Sequence, residues 1–160
     1  MKPARPLRLG QRLVVLLGAA TIVLGPVSPA HAAARTSEAE IRDRIEELIN
    51  QARANHGLRR LKVSGRTERF ADDHAEDMAR KGTIFHDLAL PAEVLLSATS
   101  WGENVGYTSS DRPARKLHTM FMHSPGHRAN VLRPRFTHMG IGVEKRNGIV
   151  YVVQRFADAT

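Results

Sequence analysis

Three side chains in this chain have the chemistry of a site: His86 in Phe85-His86-Asp87, Glu103 in Gly102-Glu103-Asn104, and His127 in Ser124-Pro125-Gly126-His127-Arg128-Ala129-Asn130-Val131-Leu132. Each stands among small, polar or turn-forming residues where an ordinary core would place apolar ones. Glycine and proline there are expected to hold Glu103 and His127 in fixed backbone geometry, which a site requires. Two imidazoles and one carboxylate are a sensible donor set for zinc, with a fourth position open to water. The same groups can equally hydrogen-bond one another and brace the surrounding loops, because buried charge is tolerated when paired. Spacing does not choose between these readings, since the three residues come from separate elements.

The remaining candidates are weaker. No HExxH metalloprotease pattern is present. His123 and His127 are four apart, but Pro125-Gly126 between them breaks a continuous helix and with it any HxxxH pair. His74 is expected to pack on a helix, and His118 and His138 to be partly exposed. Asn104 and Asn130 read as residues that tie down loop backbone. Ser124 lacks a G-x-S-x-G turn and reads as a helix cap or turn former, not a nucleophile.

The elements that must position these residues follow from periodicity and punctuation. Ser37 with Glu40 forms a capping box, and Ile41, Ile45, Leu48, Ile49 and Ala52 fall on one helical stripe that Gly57 ends. A second helix fits Thr67 to Lys81, with Phe70, Ala71, His74, Ala75 and Met78 inward and Gly82 closing it. A turn is expected at His86-Asp87, a short helix near Ala92 to Leu96, and a third helix over Pro113 to Met122 capped by Asp111. Met139, Ile141 and Val143 alternate with polar or small residues, and Asn147-Gly148 marks a type I′ turn into the β-rich run Ile149 to Phe156. That turn sets Arg146 opposite Ile149, Val143 opposite Val152 and Gly142 opposite Val153. Gly140 and Gly142 then share a face with Tyr151 and Val153, which predicts close approach of a helix or loop. Helices followed by an antiparallel hairpin is an α+β pattern.

Residues 1–32 read as an export signal: Lys2, Arg5, Arg8 and Arg12 in front, an uncharged run from Leu13 to Leu24, then Ala30-His31-Ala32 as a small-x-small cleavage site. That run has 12 residues, against the roughly 20 needed to cross a bilayer, so no transmembrane segment is expected in the mature form. Residues 33–40 are assigned as a short flexible lead and 41–158 as one domain, with no separate wall-binding module. The full chain carries +8, and removing the signal leaves 20 basic and 16 acidic residues, or +4. This excess gives no basis for nucleic-acid binding but allows a weak attraction to anionic surface polymers. With no Cys there is neither a disulfide nor a lipoprotein anchor, and a bacterial secreted, extracellular monomer is the expectation.

Taken together, Asn50-x-x-Arg53 with Gly57 and Leu61, Phe85-His86-Asp87, Gly102-Glu103-Asn104, Ser124 to Asn130, and the Gly140-x-Gly142 hairpin ending Gln154-x-Phe156 resemble the CAP superfamily, in its cysteine-free bacterial secreted branch. The resemblance covers about residues 41–158 and implies an α-β-α sandwich with a three-stranded antiparallel sheet, one strand near Trp101 to Val105. It also implies an open cavity of two histidines and two glutamates that in some members binds a divalent metal. By position these are His86, Glu103 and His127, with Asn104, Ser124 and Asn130 in support, and with zinc or another divalent cation as the implied cofactor. The second glutamate position reads Ser124, and Phe121 stands where tryptophan is common, so the tetrad is incomplete. The leading expectation is an extracellular module that binds a small-molecule or cell-envelope ligand, or a metal. The alternatives are a metal-dependent hydrolase of peptide or cell wall, and an effector acting through its surface.

Overall fold

The computed structural model describes residues 36–87 and 98–158. The export signal over 1–32 and the short helix expected near 92–96 therefore lie outside the described residues. Helix α1 (Glu38–Asn55) starts on the expected capping box: Ser37 Oγ accepts the Glu40 N–H at 3.1 Å, and Glu40 Oε2 accepts the Ser37 N–H at 2.7 Å. It begins before position 41, so residues 38–40 are helix and not lead. Ile41, Ile45 and Ile49 are buried on one stripe, and Gly57 takes φ 69° just past the helix end.

Strand β1 (Lys62–Val63) leads into α2 (Gly65–Lys81). Ser64 caps this helix by accepting from the Thr67 N–H, so it starts two residues earlier than Thr67, and Gly82 closes it at φ 65°. Ala71, His74, Ala75 and Met78 face inward as expected, whereas Phe70 is only half-buried. Strand β2 (Trp101–Thr108) is followed by α3 (Pro113–His123), α4 (Pro125–Val131) and the hairpin β3 (His138–Arg146) and β4 (Ile149–Ala157). Asp111 does not cap α3. The cap position is Arg112, without a side-chain bond, and Ser110 Oγ instead accepts the Arg112 N–H at 3.1 Å. Proline at the first helical position has no N–H to satisfy, which lessens the need for a cap there.

Strand order is β1-β3-β4-β2, antiparallel except for the short parallel pairing of β1 with β3. The sheet thus has four strands and mixed direction, one strand more than the antiparallel sheet implied by resemblance. The extra strand is the two-residue end of the α1–α2 connection, too short to carry a pattern of its own. The hairpin register is as read from its turn: Arg146 opposite Ile149, Val143 opposite Val152, Gly142 opposite Val153. Asn147 and Gly148 supply the two positive φ values, 53° and 77°.

The glycine pair explains how α2 lies on the sheet. A Cβ at Gly142 would stand 2.0 Å from the Ala71 carbonyl oxygen, and one at Gly140 2.3 Å from the Glu68 nitrogen. Helix backbone touches strand backbone there. Ala71, Ala75 and Met78 pack with Val105, Tyr151 and Val153 on this face. On the other face α1, α3 and α4 bury Ile45, Leu117, Phe121, Val131 and Phe136 against Met139, Ile141 and Val152. Helix, sheet and helix form three layers.

Buried Arg53, fully enclosed, fastens the second layer. Its guanidinium donates to the carbonyls of Arg59 (2.9 Å), Val131 (2.8 Å), Arg133 (3.0 Å) and Phe136 (3.3 Å). Asn50, one turn earlier, exchanges two bonds with the Leu61 backbone. The Asn50-x-x-Arg53 pair is therefore a latch for two loops.

Candidate functional site

Strand β2 lies at the sheet edge, and its register with β4 sets Glu103 opposite Arg155 and Asn104 opposite Gln154. Alternation sends the first pair to the α2 face and the second pair to the opposite one. The segment after α2 brings His86 and Asp87 over Glu103. His86 Nδ1 lies 3.0 Å from Glu103 Oε1, and the Asp87 N–H donates to the same oxygen at 3.2 Å. Glu103 Oε2 faces Arg155 Nε at 3.2 Å; the two atoms are not aligned for a hydrogen bond, so the contact is Coulombic. Arg155 Nη2 in turn donates to Asp87 Oδ2 at 2.7 Å. His74, from α2, contacts the Phe85 carbonyl through Nε2 at 2.8 Å, and its ring is tilted 57° to that of Phe85 with centroids 4.9 Å apart.

Burial grades this network. The Glu103 and Arg155 side chains are 2% and 4% exposed, while His86 is 51% exposed. His86 is the solvent end of a buried chain of charges. Beside it Asp87, Arg155, His74, Asp73, Asp77 and two rings, Phe70 and Phe85, line a cleft of about 290 Å3.

His127 enters from α4, its ring edge-on to Phe121 with centroids 5.1 Å apart. Burial pushes its imidazole below the ordinary value, and the neighbouring His86 lowers it further. Asn104 Nδ2 donates to the His127 carbonyl at 3.2 Å and to Gln154 Oε1 at 2.9 Å. Asn130 Nδ2 donates to the Glu103 carbonyl at 3.1 Å and to Asn104 Oδ1 at 2.9 Å. Both asparagines thus join the α4 loop to the edge strand. Gly102 makes room for them, since a Cβ there would stand 2.8 Å from Asn130 Oδ1. Gly126, by contrast, has no positive φ and open space around it, so Pro125 at the helix start restrains this turn and Gly126 does not. Ser124 sits between α3 and α4 with extended backbone and no side-chain cap bond, and its carbonyl accepts the Arg128 N–H at 2.9 Å.

Beside Glu103 the Arg155 guanidinium already supplies a positive charge. Glu103 Oε1 is held by His86 and the Asp87 N–H, while Oε2 lies beside the Arg155 guanidinium without accepting a hydrogen bond. Among the described residues no three His, Asp or Glu side chains stand together as metal ligands. His86, Glu103 and His127 share this edge of the sheet, with Arg155 beside Glu103. Arg155 is the member of the network that sequence reasoning missed. It is the one charged residue in β4, at a position alternating with apolar side chains, and that irregularity was the available signal. Asp87 appeared only as a turn residue.

The chain matches the cysteine-rich secretory protein family, CAP, over residues 46–156. It belongs to that family, and in this member the fold stands without any cysteine. Two Bacillus subtilis proteins are similar: the uncharacterized protein YkwD, 27% identical over 113 residues, and the uncharacterized membrane protein YlbC, 32% identical over 130 residues. Those alignments cover 66% and 76% of this chain, yet the chain spans only 43% and 34% of the two relatives. A solved extracellular protein of Bacillus anthracis containing an SCP domain superposes with TM-score 0.65 at 26% identity, over 75% of this chain and 41% of that one. Among the described residues no helix is long and apolar enough to cross a membrane.

Proposed function

We propose that this chain is an exported CAP-domain binding protein that recognises a cell-envelope ligand at the His86–Glu103–His127 edge and the adjoining cleft, without a resident metal and without turnover. One observation carries this reading: Glu103 Oε1 is held by His86 and the Asp87 N–H and Oε2 faces the Arg155 guanidinium, so the buried carboxylate is a structural anchor for His86 and not a free base. The cleft supplies the chemistry of recognition. Asp73, exposed at the cleft, suits an amino group, and Phe70 and Phe85 suit apolar carbons, a combination found in short peptides and amino-sugar chains. Export is supported by the basic front and apolar run of residues 1–32 and by the extracellular relative in Bacillus anthracis.

The test is an NMR titration of the purified protein with soluble peptidoglycan stem peptides and muropeptides. Shifts gathered on His74, Phe85, His86 and His127, and lost in Asp73→Asn with His86→Ala, support the reading. Shifts scattered over the surface, or cleavage products in the mixture, refute it. Zinc is expected to leave the melting temperature unchanged; stoichiometric zinc binding abolished by His86→Ala would sink the metal-free account.

A further inference from the structure

Residues 56–62 and 128–135 carry Arg59, Arg60, Lys62, Arg128, Arg133 and Arg135, all exposed, and neither stretch contains an acidic residue. The two stretches form one surface. Arg53 holds the carbonyls of Arg59 and Arg133 on a single guanidinium, and Arg128 Nη2 lies 3.0 Å from His56 Nε2. At the other end the Lys62 N–H donates to the Thr137 carbonyl at 2.9 Å, and Thr137 Oγ1 to the Asp158 carbonyl at 2.7 Å. Asp158 is the face's carboxylate, bound by Arg135 at 2.9 Å. Burial alone would raise that carboxyl, but bonds from Thr99, Ser100 and Arg135 outweigh it and hold it ionised, well below the usual range. Among the described residues the other five cations have no carboxylate partner.

This face holds the charge excess of the chain. Over residues 33–160 there are 20 basic and 16 acidic residues. Removing these six cations and Asp158 leaves 14 basic against 15 acidic, a net of −1. Like charges held side by side repel, and a fixed row of them is relieved by a polyanion. Five of the six are arginines, whose planar fork matches phosphate oxygens. Among the described residues, Val63 is the one exposed large apolar residue that adjoins the row; Ile84, Tyr107 and Met120 lie elsewhere in the chain. A surface built for bilayer insertion would add an apolar face.

We propose that this face binds a linear phosphodiester polyanion of the cell envelope, of the poly(glycerol phosphate) kind, with successive phosphates meeting successive arginines. The envelope source rests on the exported reading above; the recognition chemistry does not depend on the His86 edge.

The experiment measures binding of purified protein to poly(glycerol phosphate) across a salt series. Affinity is expected to fall as salt rises. The variant Arg59→Gln/Arg60→Gln/Lys62→Gln, whose side chains make no described bonds, is expected to lose about tenfold or more in affinity and to show a shallower salt slope. The lysine version, Arg59→Lys/Arg60→Lys, should retain most binding. Arg112→Gln/Arg115→Gln/Lys116→Gln changes net charge equally on another element and should bind like the native protein. The muropeptide titration of the native protein is scored separately, which separates failure here from failure of the cleft reading. Equal weakening by the two glutamine triples would overturn the proposal, because net charge alone would then account for binding. So would tighter binding to phosphatidylglycerol vesicles or to duplex DNA at equal phosphate concentration, or no binding by the native protein.

Discussion

Taking the Glu103 carboxylate into the interior costs several kcal/mol of hydration, which Arg155 and the His86–Asp87 turn offset. Glu103→Gln leaves Arg155 buried beside a neutral amide, and a loss of about 3 kcal/mol in urea unfolding is expected. Pairing Glu103→Leu with Arg155→Met should recover much of that loss. If the two single losses simply add, the charges are not coupled. The imidazoles titrate with a definite sign. His127 and His118 are both lowered, chiefly by burial, so the unfolded chain binds protons first as pH falls below about 6.5. The stability these two groups govern is therefore full well above about pH 6.5 and declines as pH falls below it. Melting temperatures across that range should show the decline, and His118→Gln with His127→Gln should flatten it.

Backbone contact between α2 and the hairpin makes glycine at 142 a requirement. Gly142→Ala drives a methyl into the Ala71 carbonyl, and the loss should reach at least about 2 kcal/mol by denaturant unfolding. Gly126→Ala is the contrast. With open space and ordinary helical backbone in α4, it should gain roughly 0.5–1 kcal/mol. A native-like stability for Gly142→Ala would mean that α2 rides further from the sheet than its contacts indicate. The α2–hairpin layer also carries the site, since His74 reaches the Phe85 carbonyl from α2 while Arg155 reaches Asp87 from β4.

For the whole molecule, Arg53 joins α1 to both loops that present the basic face. Arg53→Met removes four carbonyl partners from an enclosed position, and a destabilisation of about 3 kcal/mol or more is expected. Hydrogen exchange should quicken first at residues 58–61 and 131–136; uniform exchange across the chain would show that the latch is not local. The cleft on the α2 face is lined by Asp73, Asp77 and Asp87 together with Arg155. In the cleft Asp77 is paired with Arg80 and Lys81 and Asp87 with Arg155, whereas five of the six cations on the basic face have no carboxylate partner among the described residues.

The amino-acid order alone determined the capping box at Ser37, the Asn147-Gly148 turn, the hairpin register and the close approach at Gly140 and Gly142. Each is a local constraint, legible because one hydrogen-bonding side chain or one missing Cβ decides it. The pairing of His86 with the Glu103 region was legible only through likeness to a family, since 17 residues separate them. Tertiary structure alone decided that Arg155 neutralises Glu103, that Asp87 closes the network, that β1 adds a parallel strand, and that loops near residues 59 and 133 share one basic face. Those outcomes depend on which strands become neighbours across some 50 to 80 residues, and no local periodicity encodes them.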